Sequence, residues 1–262
     1  MDNAAISIDR RGRVLEITLR RPKVNAIDAA TSIALGEAFQ QLQDDDGLSV
    51  GIIASGVDRF FSAGWDLKAV ANGETANDFQ GVGGFAGLTE FWGLKKPVIA
   101  AVNGLALGGG FELALAADMI VASEAAEFGL PEAKLGLVAD AGGVIRLCHR
   151  LPHAIAMELM MTGRRASAGE LHRWGIVNEV TPVDGAIDAA RRLAGRVAES
   201  APLSLQAIKE IARATYGATE SEAYRIMRNG GLEAYDSLYS SLDAQEGMLA
   251  FSERRSPIWK SR

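Results

Sequence analysis

The chain has 262 residues, 48% hydrophobic and 23% charged, which is typical of one globular domain with or without a small appendage. Its net charge of −6, from 27 Lys and Arg against 33 Asp and Glu, argues against a non-specific nucleic-acid binder. A single cysteine, Cys148, excludes a disulfide within the chain and fits a reducing compartment. Residues 1–4 start no signal-peptide pattern, and no apolar run is long enough to span a bilayer. We therefore expect a cytoplasmic protein.

Taken in chain order, the first predicted element is a strand over residues 14–19, where apolar residues alternate. Asp28 can cap a helix that runs to about residue 43. Further elements are short buried strands at 50–54, 98–102 and 119–122 and a helix at 108–117. This alternation predicts an α/β core whose strands are buried on both faces.

The pattern changes near Pro182, and from Val183 it is helical almost to the end of the chain. Breaks are predicted at residues 200–202, 216–217 and 230–231. The helical part has many apolar positions for its size, so we expect it to pack on neighbouring subunits as well as on its own core. The chain is accordingly divided into a core at 1–182 and a helical oligomerisation region at 183–262.

Two glycine-rich segments, 60–67 and 103–112, each follow a buried strand and precede a helix. Such segments leave backbone N–H groups free at a helix start, and two of them can together hold one developing oxyanion. The glycines at 108–110 would let a substrate approach the backbone closely. Neither spacing matches a nucleotide phosphate loop. Glycines that only permit tight packing of strand on helix remain an alternative.

Three acidic residues lie near these segments. Glu112 is in the first predicted turn after Gly109, Glu132 follows Pro131, and Asp140 precedes another predicted helix. As plain structural residues, Glu112 would complement a helix N-terminus, Glu132 would be a surface acid and Asp140 an N-cap. We favour that interpretation for Asp140 and a catalytic one for the two glutamates.

Other chemistry has no support in the sequence. The histidines at 149, 153 and 172 lack the spacing of metal ligands, so no metal site is predicted. Cys148 has no nucleophile context, and the chain contains no G-x-S-x-G elbow.

A series of motifs along the chain is similar to the crotonase superfamily, the enoyl-CoA hydratases and isomerases. The motifs are Arg21-Pro22-Lys23-x-Asn25-Ala26, Phe61-Ser62-Ala63-Gly64-x-Asp66-Leu67, Asn103-Gly104 through Gly108-Gly109-Gly110-x-Glu112-Leu113, Pro131-Glu132, Gly142-Gly143 and Glu246-Gly247-Met248-x-Ala250-Phe251 with Arg254-Arg255. Each is weak alone, but all of them in order are specific. The resemblance covers essentially the whole chain.

The resemblance implies a spiral of ββα turns that forms two roughly perpendicular sheets, then a helical trimerisation region. Family members are often dimers of trimers. It also implies an acyl-CoA thioester substrate without a separate cofactor, and an oxyanion hole formed by the N–H groups of Ala63 and Gly109. Glu112 matches the hydratases' water-handling glutamate and Glu132 their C2 acid. The presence of both favours hydration or dehydration over other thioester chemistry.

The resemblance further implies a set of substrate-binding positions. They are Lys23, Asn25, Ala26, Trp65, Asp66, Leu67, Lys68, Phe85, Gly108, Pro131, Asp140, Phe251 and Arg254. Lys23, Lys68 and Arg254 are the candidate cations for the phosphates of CoA. Phe251 is expected to line the pocket from the C-terminal helix.

Within the superfamily, segments 61–68, 83–90, 130–136, 161–165 and 173–178 are similar to the carnitinyl-CoA dehydratases. The expected substrate pair is therefore crotonobetainyl-CoA and carnitinyl-CoA, whose trimethylammonium group aromatic faces can hold. The candidate aromatic residues are Trp65, Phe85, Phe91 and Trp92. Asp140 can supply a counter-charge, although aromatics of this kind also serve as core or lid packing. Ala139, where proline is expected, is a departure that affects the acyl pocket.

Three alternatives stay open at this point. One is a general enoyl-CoA hydratase of fatty-acid breakdown with no preference for a quaternary ammonium. Another is a family member that uses Asp140 as nucleophile or acid, as dehalogenases of the superfamily do in this loop. The last is a non-catalytic RNA-binding homologue, against which the net charge of −6 and the two glutamates argue.

Overall fold

The computed structural model describes residues 5–75 and 80–262. In chain order the strands are β1 (Ile6–Arg11), β2 (Val14–Leu19), β3 (Ala26–Ile27), β4 (Val50–Ser55), β5 (Phe60–Ser62), β6 (Gly64–Trp65), β7 (Val98–Val102), β8 (Leu105–Leu107), β9 (Met119–Ser123), β10 (Glu127–Gly129), β11 (Ala166–Ser167) and β12 (Glu179–Thr181). The helices are α1 (Ala29–Asp44), α2 (Leu67–Ala71), α3 (Gly109–Ala116), α4 (Gly143–Arg150), α5 (His153–Thr162), α6 (Ala168–Arg173), α7 (Ala186–Ala198), α8 (Pro202–Ala214), α9 (Glu220–Arg228), α10 (Glu233–Leu238) and α11 (Leu242–Glu253). Residues 1–4, which are expected not to begin a signal peptide, lie outside the described ranges.

The predicted elements of the core are confirmed, since β2, β4, β7, β9 and α3 lie where the patterns placed them. Asp28 is the N-cap of α1, where its Oδ1 accepts hydrogen bonds from the N–H and the hydroxyl of Thr31 at 2.8 and 2.6 Å. One difference concerns residues 60–67, expected to form a loop. They include strands β5 and β6, and β6 pairs in parallel with β3.

The core is organised around a six-stranded sheet in the order β1-β2-β4-β7-β9-β12. Its strands pair in parallel except for β1, which joins the edge antiparallel to β2. Alternate side chains enter different cores: Ile53 packs in the larger cluster, which includes Phe39 of α1, whereas Ile52 packs with Ala190 of α7. Burial on both faces explains the unbroken apolar runs in the sequence.

A second sheet has the order β11-β10-β8-β5 and positions the site. Strands β8 and β10 pair in parallel, with Leu107 opposite Gly129, so the two strands end at the same edge of the sheet. The chain after β8 enters α3, which carries Glu112, and the chain after β10 enters the 3-10 turn Glu132–Leu135. The register of this sheet therefore brings the two glutamates to one place.

The C-terminal region is helical from α7 to α11, with breaks at the predicted positions. Helix α7 packs on the six-stranded sheet. The boundary at Pro182 thus stays a prediction, because the first helix beyond it belongs to the core packing. Helix α11 and the segment after it expose large apolar side chains, among them Met248, Phe251 and Ile258. No helix in the described part of the chain is long and apolar enough to cross a bilayer.

Candidate active site

The N-terminus of α3 forms the floor of the site. Gly108 precedes the helix with φ +54° and ψ −129° and gives no side-chain cap. Its carbonyl accepts the N–H groups of Phe111 and Glu112 at 2.8 and 3.0 Å. The N–H of Gly109, in the first turn, lies among the N-terminal donors that an α-helix leaves without an intrahelical partner.

The segment 63–66 runs directly beside this helix start. A Cβ on Gly64, which has φ +85°, would lie 2.6 Å from the nitrogen of Gly109 and 2.7 Å from the carbonyl oxygen of Leu107. Such a contact is too short for any side chain. The two glycine-rich segments therefore meet backbone to backbone, as the sequence predicted.

The backbone donors of this segment correct one expectation. The N–H of Ala63 donates to the carbonyl of Val24 at 2.9 Å, so the predicted oxyanion donor is already engaged. Gly64 donates to Ser62 Oγ at 3.0 Å, and Asp66 donates to the carbonyl of Ile27 in β3 at 2.9 Å. Because Asp66 bonds toward β3, the preceding N–H, that of Trp65, points to the opposite side of the strand.

Glu112 is almost fully buried, with 4% of its surface exposed. Its Oε1 accepts a hydrogen bond from the N–H of Gly143, the first residue of α4, at 2.8 Å. Burial raises the pKa of Glu112 to about 7, and the charges of Glu132 and Asp140 act in the same direction. The Gly143 N–H and the cation of Arg146 oppose that shift. A carboxyl of this kind exchanges its proton near neutral pH.

Glu132 stands over the helix start from the other side. Its Oε1 lies so close to Gly108 that a Cβ there would be 2.7 Å away. Its Oε2 is buried and accepts no hydrogen bond from the described residues. Burial raises the pKa of Glu132, and the charge of Asp140 adds to the effect. An unpaired buried carboxyl oxygen beside free backbone donors is chemically available to a bound molecule.

Both glutamates face one cavity of about 480 Å³. Its lining residues are Ala63, Trp65, Leu67, Gln80, Gly84, Phe85, Glu90, Gly108, Gly109, Glu112, Pro131, Glu132, Leu135, Leu137, Val138, Asp140 and Ala141. The charged side chains among them are all carboxylates, and within the described ranges no lysine or arginine lines the cavity. This size and mixed lining are typical of a small-molecule site.

Sequence reasoning named many of the residues that line this cavity. The predicted site residues that line the cavity are Ala63, Trp65, Leu67, Phe85, Gly108, Gly109, Glu112, Pro131, Glu132 and Asp140. It did not name Glu90, the last residue of the segment 83–90, as a site residue. It also did not name the apolar residues Leu135, Leu137 and Val138. The available signal in the sequence was the position of these three apolar residues, shortly after Glu132.

Of the four aromatic candidates, two line the cavity and two do not. The indole N–H of Trp65 donates to Glu74 Oε1 at 2.7 Å, which fixes the ring beside the cavity. The ring of Phe85 lies against Gly109, where any Cβ would collide with it. Phe91 is instead buried in the core and Trp92 is 74% exposed, and neither lines the cavity.

Three residues predicted to bind substrate make hydrogen bonds or ion pairs within the chain. Asn25 is fully buried, and its amide donates to Ser55 Oγ and the carbonyl of Phe61 at 2.8 and 3.1 Å. Ala26 pairs with Gly64 in the β3–β6 ladder. Asp66 caps α2 through Lys68 N, and it also forms an ion pair with Arg21. These contacts give the three residues structural roles, and their predicted substrate contacts stay a prediction.

The candidate CoA-binding residues do not reach the cavity within one chain. Lys23 and Lys68 are exposed and are absent from its lining. Phe251 is 86% exposed on α11, and Arg254 ends that helix with a φ of 55°. Phe251 does not line the cavity of its own chain, so its expected place in the pocket stays a prediction that requires a neighbouring subunit.

Asp140 is not the N-cap that its position suggested. Helix α4 begins at Gly143 and is preceded by Gly142, without a side-chain cap. Asp140 is exposed and lines the cavity, and its charge raises the pKa of both glutamates. Within the described residues, no group of three or more His, Cys, Asp or Glu could hold a metal ion.

Solved structures share this fold over nearly the whole chain. An enoyl-CoA hydratase from Mycobacterium tuberculosis H37Rv has a TM-score of 0.90 at 42% identity, covering 99% of this chain and 100% of that one. A carnitinyl-CoA hydratase from Mycobacterium avium has a TM-score of 0.77 at 44% identity with the same coverage. These likenesses confirm the predicted α/β crotonase fold.

Curated relatives are closer in sequence. Carnitinyl-CoA dehydratases of Salmonella agona and Salmonella choleraesuis are 58% identical over 98% of this chain and 99% of their own length. The profile of the family described as enoyl-CoA hydratase/isomerase matches residues 9–262. With the fold, the paired glutamates and this match in agreement, the chain belongs to the enoyl-CoA hydratase/isomerase family, the crotonase superfamily that its motifs predicted.

Proposed function

We propose that this enzyme is a hydro-lyase that reversibly adds water, with syn geometry, to an enoyl-CoA thioester, the substrate pair being crotonobetainyl-CoA and carnitinyl-CoA. The observation that carries the proposal is a pair of carboxyls, of the buried Glu112 and the half-buried Glu132, that face one cavity beside the N-terminus of α3. The 58% identity to carnitinyl-CoA dehydratases supports this substrate pair.

The thioester carbonyl would lie against the backbone donors. Negative charge develops on its oxygen when the reaction passes through an enolate, and fixed N–H groups stabilise that charge without reorganising. Gly109 at the start of α3 is one donor, as the sequence predicted. The direction of the backbone supports Trp65 as the other, in place of Ala63. Loss of one such donor typically lowers the rate by ~10²–10³-fold.

In hydration, Glu112 takes a proton from water while the oxygen of that water bonds to C3. Glu132 gives its proton to C2, so the double bond is consumed and the pair still holds one proton. Dehydration reverses each transfer. Glu132 suits the C2 position because its Oε2 is buried and unpaired among the described residues.

Both directions of the reaction need one proton on the pair of glutamates. Burial raises the pKa of both carboxyls, to about 7 for Glu112. With the proton on Glu112, Glu132 can remove the C2 proton and Glu112 can protonate a leaving hydroxide, which is dehydration. With the proton on Glu132, the pair can begin hydration.

The charge of the cavity supports a cationic acyl group. Glu90 and Asp140 add two carboxylates to the catalytic pair, and no cation in the described ranges lines the space. A trimethylammonium group would meet complementary charge there, together with the fixed ring of Trp65. A plain alkyl chain gains nothing from these carboxylates, so a general hydratase fits the lining less well.

Assembly would complete the CoA part of the site. We propose a trimer or hexamer in which α11 packs on a neighbouring subunit, because its Met248 and Phe251 are largely exposed in the single chain. Arg254, at the end of the same helix, would then be carried to the neighbour's cavity, which lacks a cation for the phosphates.

Substitution of either glutamate tests the chemistry. We expect Glu112→Gln and Glu132→Gln to fold normally and to lower kcat for hydration by at least ~10²-fold, the usual weight of one acid–base group. The double variant should lose far less than the product of the single losses, because the pair acts as a unit. Loss of the conjugated-thioester absorbance is the measurement, and near-normal turnover by a single variant would remove that residue from the mechanism.

The pH dependence of activity tests whether the pair of glutamates must hold one proton. Activity needs one proton on the pair, so kcat/KM should be bell-shaped and should fall on the alkaline side near pH 7, where Glu112 loses its proton. In Glu112→Gln the limb near pH 7 should disappear from the residual activity, and only the limb that belongs to Glu132 should remain. An alkaline limb unchanged in Glu112→Gln would assign it to another group.

The acyl preference tests the substrate assignment. Wild-type enzyme should prefer crotonobetainyl-CoA to crotonyl-CoA in kcat/KM, and Trp65→Leu should erode that preference while sparing crotonyl-CoA, since an aromatic face contributes ~0.5–2 kcal/mol to a cation. Trp65→Phe, which retains an aromatic face, is the matched control. A wild-type preference for crotonyl-CoA would indicate a general enoyl-CoA hydratase and leave the two-glutamate chemistry intact.

Sedimentation tests the assembly. At micromolar concentration the protein should sediment as a trimer or hexamer, and Phe251→Glu should shift it toward monomer because a charge would enter an apolar contact. A wild-type monomer that turns over substrate would exclude both the trimer and any role of Arg254 in a neighbour's site.

A further inference from the structure

Arg146 of α4 touches both sides of the site without lining its cavity. The side chain is partly buried, and its Nη1 donates to the carbonyl of Ala141 at 3.0 Å. Its Nη2 donates to the carbonyl of Thr89. The guanidinium also lies over Gly142, where any Cβ would collide with Nη1. One planar cation therefore joins the loop before α4 to the segment 84–90.

The Thr89 end of this link leads to the helix start. Thr89 is buried, and its hydroxyl donates to the carbonyl of Phe85 at 2.8 Å. The ring of Phe85 packs directly on Gly109. A shift of Thr89 would move that ring and disturb its contact with Gly109, whose N–H the proposed function assigns to the oxyanion.

The Ala141 end leads to the buried glutamate. Gly143, two residues further on, donates its N–H to Glu112 Oε1 at 2.8 Å. A Cβ on Gly143 would lie 3.0 Å from that oxygen and 2.8 Å from Ala139 Cβ, so the loop has little freedom around Glu112. A guanidinium that fixes residues 141–142 thereby fixes the donor to Glu112.

We propose that Arg146 is a positioning residue that holds the Gly109 donor and the Glu112 carboxyl in register by bridging the carbonyls of Thr89 and Ala141. The proposal rests on the proposed function, in which Gly109 and Glu112 act on the same thioester. Arg146 also offsets negative charge at Glu112, which Glu132 and Asp140 face from other segments. Glu90, Arg150 and Arg213 are the charges around Arg146 itself.

Arg146→Gln removes both the bridge and the cation. We expect kcat to fall by ~10–10²-fold, because small misplacements of reacting groups have effects of that size, while KM stays near its wild-type value, the signature of a contribution made in the transition state. The alkaline limb of kcat/KM should move to higher pH, since Glu112 loses a cation that lowers its pKa. Arg150→Gln, one turn along α4 and facing Asp118 and Tyr216, is the matched control and should change neither quantity.

A titration of the Glu112 carboxyl by ¹³C NMR separates this inference from the proposed function. The Glu112 pKa should rise in Arg146→Gln and stay in place in Arg150→Gln, whether or not any enoyl-CoA is turned over. Wild-type enzyme inactive on every enoyl-CoA would overturn the proposed function. An unmoved Glu112 titration in Arg146→Gln, or a kcat loss that matches the loss of folded protein, would overturn the role of Arg146.

Arg146→Lys covers the case in which the glutamine variant does not fold. Lysine keeps the charge, but its single ammonium cannot span both carbonyls as a planar guanidinium does. We expect the wild-type alkaline limb together with a kcat reduced by about tenfold, as displaced reacting groups cause. Wild-type kcat in Arg146→Lys would show that the bridge is dispensable and would overturn the proposal.

Discussion

Direct contact between backbones is the constraint on which the site depends. Gly64 faces the nitrogen of Gly109, and a Cβ on Gly110 would collide with the carbonyl of Ser62. A side chain at either glycine would push the segment 63–66 away from α3. The distance between the backbone donors on the two segments is thereby fixed before any substrate binds, which is what electrostatic stabilisation of an oxyanion requires.

The site also depends on the burial of the Glu112 carboxyl. A carboxyl that is 4% exposed pays a desolvation penalty when ionised, and at Glu112 one backbone N–H and one cation only partly offset it. Stability is thus given up at a position where proton exchange near neutral pH is useful. Gly108 and Gly143 let the backbone approach Glu132 and Glu112, and Gly142 leaves room for Arg146, where side chains would collide.

The proposed assembly and the proposed specificity are connected through charge. The cavity of the single chain is lined by carboxylates alone among its charged groups, which suits a cationic acyl end and does not suit the phosphates of CoA. Cations for the phosphates must then come from the exposed rim or from a neighbouring subunit. The exposed apolar side chains of α11 are consistent with the second source. The surface of α11 would then serve both subunit association and the binding of the CoA phosphates.

The sequence by itself determined the family and the core elements, and it singled out the two glutamates that face one cavity. Alternating apolar residues, the Asp28 cap and ordered glycine motifs are local signals. It assigned an oxyanion donor to Ala63, whose N–H is bonded to the carbonyl of Val24. The direction of an N–H there depends on the pairing of β6 with β3, two strands far apart in the chain. It likewise assigned Asn25 to substrate, although the amide bonds that bury it come from distant segments. Asp140 appeared to be a cap because it precedes a helix, yet the helix starts three residues later, at Gly143. Only the tertiary structure decided these points, and with them the bridge of Arg146, because each depends on which distant backbone groups become neighbours.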